Sequence, residues 1–78
     1  MMVEVFGPGC ARCEKTVELV KKAMESSGRT DIGFNKVTDM KMFAARGVMM
    51  TPAVAVDGRI RCQGRIPSED EVRSWLEQ

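Results

Sequence analysis

The chain has 78 residues, enough for one domain, 1–78, near the lower size limit for a core without staples. Twelve basic residues balance eleven acidic ones, so there is no electrostatic footprint for nucleic acid or an acidic membrane surface. The apolar runs fall short of the roughly 20 residues that span a bilayer, and Met1 leads into the first of them without a basic leader or cleavage site. A cytoplasmic monomer is therefore the expectation. Three cysteines are an odd count for a disulfide-stapled secreted scaffold, and in a reducing compartment a close pair points to redox chemistry or metal binding. The absence of histidine removes hydrolase triads that depend on it, together with the commonest metal ligand.

Met2 to Phe6 reads as a short strand ended by Gly7-Pro8-Gly9, with Glu4 its odd member. From Ala11 the period becomes helical. Cys13, Val17, Val20 and Met24 share one face, broadened by Thr16, Leu19 and Ala23, and Gly28 closes the helix. Asp31 to Val37 is a weaker second strand. Asp39 then caps a short helix that is expected to turn Met40, Phe43 and Ala44 to one face and to end at Gly47. After Thr51-Pro52, the strands Ala53–Val56 and Arg59–Cys62 flank Asp57-Gly58, a strong hairpin signal. In that register Ala53 opposes Cys62. Ser68 with Glu71 forms a capping box for a last helix that buries Val72, Trp75 and Leu76. The order β-α-β-α-β-β-α predicts an α/β fold, a four-stranded mixed sheet with helices on both faces.

Two cysteines in C-x-x-C spacing at a strand-to-helix junction can form a small disulfide loop or clamp a soft metal, copper or zinc, between two thiolates. Cys10 falls at the helix N-terminus, where free N–H groups and the macrodipole favour a thiolate. Cys13 lies on the buried stripe, and Arg12 between them adds a nearby cation or simply points to solvent. An exposed, acidified thiol beside a shielded one suits attack by the first and resolution by the second.

Taken together, the C-x-x-C opening the first helix, Thr51-Pro52 opening the third strand, the Asp57-Gly58 hairpin and the final capped helix resemble a thioredoxin-fold protein. The likeness is to the small prokaryotic redox-active disulfide group, and it spans nearly the whole chain. The Trp-Cys-Gly-Pro-Cys of thioredoxins and the Cys-Pro-Tyr-Cys of glutaredoxins are both replaced here by Gly9-Cys10-Ala11-Arg12-Cys13. The resemblance implies a thiol–disulfide oxidoreductase with no cofactor beyond the Cys10–Cys13 pair. Its partners would be protein or small-molecule disulfides and a reductase, with soft-metal binding as the alternative. It also implies that Pro52 is cis and faces the disulfide, with the Thr51 backbone open to a bound polypeptide. Heavy-metal-associated domains share the first strand, C-x-x-C and helix, but they finish on a strand.

Glu4 falls six residues before Cys10, where thioredoxins hold a buried carboxylate that moves protons; a partly solvated glutamate near the sheet end is the plainer alternative. The predicted hairpin brings Cys62 back toward Pro52 as a third thiol, although free cysteine commonly packs as a small hydrophobe. Gln63-Gly64 and Ser68 occupy the region where glutaredoxins bind the glutathione tail, and turn and cap roles account for both. Among the seven methionines, Met49-Met50 near the active-site end offer an adaptable docking surface or gap-filling packing.

Overall fold

A computed structural model describes residues 1–77. Its elements run β1 (Met2–Phe6), α1 (Ala11–Ser27), β2 (Gly33–Val37), α2 (Met40–Ala45), β3 (Ala53–Val56), β4 (Arg59–Gln63) and α3 (Glu69–Leu76). The sheet order is β2-β1-β3-β4. Strand β1 lies parallel to β2 and antiparallel to β3, and the β3–β4 hairpin is antiparallel. This is the mixed α/β sheet that the element order implies.

Strand alternation divides the apolar side chains between two faces. Val3, Val5, Val54 and Val56 meet Val17, Val20 and Ala23 of α1 and Val72 and Leu76 of α3. On the other face, Phe6, Ala53 and Ala55 pack with Phe43 of α2 and Val48 beyond it. The Phe6 and Phe43 rings meet edge to face, 6.1 Å between centroids. No helix among the described residues is long and apolar enough to cross a membrane.

Four details differ from the sequence expectation. Strand β2 starts at Gly33 rather than Asp31, because the carbonyl of Asp31 accepts from the Met1 amino group and its carboxylate pairs with Arg29, which holds these residues in a turn. Met40 is 69% exposed and Ala44 is exposed too, because a helix of six residues has room for little more than one inward position, taken by Phe43. Trp75 is half-buried at the edge of the α1/α3 core.

The fourth difference is in the hairpin. Asp57 and Gly58 both take positive φ, 51° and 82°, the geometry of a tight hairpin turn, and Val56 opposes Arg59 as expected. Beyond Ile60 the ladder slips. Cys62 opposes Val54 and Gln63 opposes Ala53, with Arg61 the extra residue of a bulge. A one-residue slip reverses the faces. Cys62 therefore enters the α1/α3 core, and Gln63 shares the α2 side with Ala53.

The capping box of α3 forms as expected: Ser68 Oγ accepts from Glu71 N–H and Glu71 Oε1 accepts from Ser68 N–H, both at 3.1 Å. The guanidinium of Arg65 grips the same carboxylate at 2.9 and 2.7 Å. Arg65 first, and the Ser68 N–H next, hold the Glu71 carboxyl down to about 2. Since the folded value lies below the ordinary value of about 4.3, this contribution to stability is present above that pH and is lost as pH falls toward 2. Ser68→Ala is expected to lower the unfolding free energy by about 1 kcal/mol in urea titrations, and a loss below about 0.3 kcal/mol would show the cap to be idle.

Candidate active site

Strand β1 ends at Phe6, and Gly7, Pro8 and Gly9 turn the chain into α1. Cys10 is the N-cap residue, with extended backbone (φ −72°, ψ 168°) and no cap hydrogen bond from its side chain. Its carbonyl accepts the first helical bond, from Glu14 N–H at 3.0 Å. The sulfur is therefore left at the open end of the helix, in solvent. Cys13, one turn on, is fully buried. The two thiols are free, and their sulfurs stand 2.9 Å apart.

This asymmetry sets their acidities apart. A hydrogen bond from the Cys13 thiol, helped by the backbone N–H groups of Cys13 and Arg12, lowers the pKa of Cys10 below the ordinary thiol value. Burial chiefly, and the donated hydrogen bond next, push Cys13 up. When the pair loses one proton, the negative charge is therefore favoured on the exposed sulfur and the remaining proton on the buried one.

Gly7 makes room for this arrangement. A Cβ at position 7 would lie 2.3 Å from Cys13 Sγ and 2.8 Å from Cys13 Cβ. Sequence inspection reads Gly7 only as strand punctuation; its contact with a residue six positions on appears once α1 folds back over β1.

The second side of the site comes from the segment between α2 and β3. The Thr51–Pro52 peptide bond is cis, and Pro52 is buried. The Gly64 N–H donates to the Pro52 carbonyl at 2.9 Å, and the Gly64 carbonyl accepts from Arg12 Nη2 at 3.1 Å. Arg12, itself exposed, therefore reaches across to the residue just past β4. Cys10, Cys13, Arg12, Pro52 and, through Pro52, Thr51 are brought to one end of the sheet.

Glu4 and Cys62 are placed elsewhere. Glu4 alternates with Val3 and Val5, so its side chain lies on the α2 face, whereas Cys13 rides on α1 across the sheet. There Glu4, only 8% exposed, takes a two-pronged ion pair from Arg46 at 2.5 and 3.0 Å. The Arg46 guanidinium also lies over the Phe6 ring, 5.3 Å from its centroid. Of the two sequence readings, a proton carrier or a partly solvated glutamate, the second does not describe this carboxylate, which is buried under α2 and paired with Arg46. The third thiol, Cys62, is in the α1/α3 core because of the bulge, and burial raises its pKa. The hairpin register that would return it to Pro52 is not the one formed.

A solvent-exposed, acidified thiol at a helix N-terminus, hydrogen-bonded to a buried thiol of raised pKa, is the constellation of a dithiol–disulfide oxidoreductase. The comparisons agree with that class. Residues 1–77 match a family model described as a thioredoxin domain. Over 76 residues the chain is 42% identical to a thioredoxin of Methanocaldococcus jannaschii, covering 97% of this chain and 86% of that protein. It is 30% identical, again over 76 residues, to a thioredoxin of Methanothermobacter thermautotrophicus, covering 97% of each. The chain belongs to the thioredoxin domain family. It is a protein disulfide oxidoreductase.

Proposed function

We propose that the chain acts as a one-domain, cytoplasmic dithiol carrier, in which Cys10 is the attacking residue and Cys13 the resolving one. The Cys10 thiolate attacks one sulfur of a substrate disulfide. The substrate S–S bond breaks, a Cys10–substrate mixed disulfide forms, and the first substrate sulfur leaves as a thiolate that takes up a proton. Cys13 then loses its proton and attacks Cys10 Sγ. The mixed disulfide breaks, the second substrate thiol is released, and the Cys10–Cys13 disulfide remains. Two electrons have passed to the substrate, and a reducing partner carrying a dithiol or equivalent must return them. The dithiol itself is the redox group, so no added cofactor enters the cycle.

The observation that carries this reading is the 2.9 Å approach of an exposed to a buried sulfur. Two thiolates on one tetrahedral zinc, each about 2.3 Å from the metal, lie about 3.8 Å apart. The pair as placed is drawn closer than a metal bracket. Thr51 and Pro52 are the proposed docking strip for a polypeptide substrate, in β fashion.

Equilibration with glutathione redox buffers, with metal content measured on the same sample, tests the proposal. A reversible two-electron transition confined to Cys10 and Cys13 is the expected result. A pair that never oxidises, in protein that purifies with stoichiometric metal, overturns it.

A further inference from the structure

We propose that Gln63 and Arg12 are positioning residues that clasp the Met49–Pro52 segment to the Cys10 end of α1, and that this clasp sets activity toward polypeptide disulfides as opposed to small ones. The inference rests on the proposed dithiol exchange and concerns how a long substrate is held during it.

The segment between α2 and β3 needs an anchor. The cap of α2 ends with Val48 N–H on the Phe43 carbonyl, and the β ladder begins at Ala53. Residues 49–52 lie between; Met49 projects into solvent and Met50 is partly exposed. Gln63 supplies a tie from outside: its Oε1 accepts from Met49 N–H at 2.8 Å and from Met50 N–H at 3.2 Å. The adjacent Gly64 adds its N–H on the Pro52 carbonyl at 2.9 Å, and its own carbonyl takes the Arg12 guanidinium at 3.1 Å. Four hydrogen bonds thus run Met49/Met50–Gln63, Pro52–Gly64 and Gly64–Arg12, from the docking strip into the C-x-x-C motif itself. Met50 folds against Gly64, where a Cβ would meet its side chain at 2.9 Å.

The bulge at Arg61 makes the clasp possible. In the unslipped register Gln63 would lie beyond Ala53 with its side chain on the opposite face. The extra residue sets Gln63 opposite Ala53, on the side where the chain leaves α2, within reach of the two N–H groups. The contacts lie at the surface and bury little apolar area, so their contribution is to geometry more than to the core. A small disulfide needs only the Cys10 sulfur. A polypeptide must also pair along Thr51 and Pro52, and it loses binding when the segment that carries them is free to move.

The test compares two substrates, the interchain disulfides of insulin and hydroxyethyl disulfide, with full-length wild type and four variants. For Gln63→Ala, and likewise Arg12→Ala, the ratio of kcat/KM on insulin to kcat/KM on hydroxyethyl disulfide is expected to fall about tenfold, equivalent to about 1.4 kcal/mol, mainly through KM. Gln63→Glu keeps an oxygen that can accept both N–H groups, and Arg12→Lys keeps a donor; each is expected to recover most of the ratio. A purely structural role would lower both substrates together and leave the ratio alone. A ratio within about twofold of wild type in both alanine variants overturns the clasp while leaving the dithiol reaction intact. A wild type that reduces neither substrate overturns the dithiol reading first, and the clasp with it.

Discussion

Replacing Cys10 by serine is expected to end catalytic disulfide reduction, with turnover falling at least about a thousandfold, because a serine hydroxyl carries almost no anion near neutral pH and is not displaced as a thiolate is. Cys13→Ser should behave differently. The first attack survives, resolution does not, and the partner accumulates as a mixed disulfide on Cys10, visible as an added mass that dithiothreitol removes. The pH profile carries the same asymmetry. Alkylation of Cys10 by iodoacetamide should rise with pH through the thiol's own pKa, which is lowered from its ordinary value, and then level off. The largest cause of that lowering is the hydrogen bond from the Cys13 thiol. Cys13→Ala removes the donor, so the inflection should move to higher pH, whereas Cys13→Ser retains a hydroxyl donor and should move it less. Equal trapping by both serine variants, or an inflection unmoved in Cys13→Ala, would contradict the unequal roles given to the two sulfurs.

What the sequence made legible, and what it did not, follows from the range over which each signal acts. The helix opening at Cys10, its buried stripe and the Ser68 capping box rest on residues a turn apart, so local pattern was enough. The Asp57-Gly58 turn was equally local, and the pairing beside it, Val56 with Arg59, followed. The bulge was not legible. Nothing in Arg59-Ile60-Arg61-Cys62 marks one arginine as an extra residue; what selects the slipped register is the burial of Cys62 with Val54 and Val72 on the α1/α3 face. That single slip relocates Cys62 and delivers Gln63 to the Met49–Met50 amides. Glu4 was legible as an anomaly in a central strand but not in its solution, since its partner Arg46 lies 42 residues away at the end of a short helix. Arg12 and Gly64 are farther apart still, 52 residues. The sequence thus locates the cysteine pair, whereas the partners of Glu4, Arg12 and Gln63 become visible only through long-range packing.

Gly7→Ala is expected to be among the most damaging single methyl additions to this chain, both to stability and to the cysteine pair. The added carbon would enter a space already held by Cys13, 2.3 Å from Sγ, when ordinary contact begins at 3.4 Å. Neither neighbour yields easily. The position 7 backbone is pinned by its N–H on the Val37 carbonyl at 3.0 Å, extending the β1–β2 pairing. Cys13 is fully buried at the start of a 17-residue helix whose stripe is packed on β1. Relief therefore requires a shift of the first turn of α1 or an unfavourable cysteine rotamer, an overpacking cost of about 1–3 kcal/mol. In a chain this small that corresponds to a fall in Tm of about 4–24 °C by calorimetry. A changed cysteine rotamer also moves Cys13 Sγ away from Cys10, and by that route the Cys10 alkylation inflection should rise, as in Cys13→Ala. A double-mutant cycle separates the collision from any general weakening of the loop. Cys13→Ala deletes the 2.3 Å contact but leaves the 2.8 Å contact to Cβ, so Gly7→Ala should be less destabilising in that background than in wild type, though not harmless. Additive effects, or a Gly7→Ala protein that melts within about 2 °C of wild type, would mean that the turn can open without strain and that Gly7 does not hold the buried sulfur in place.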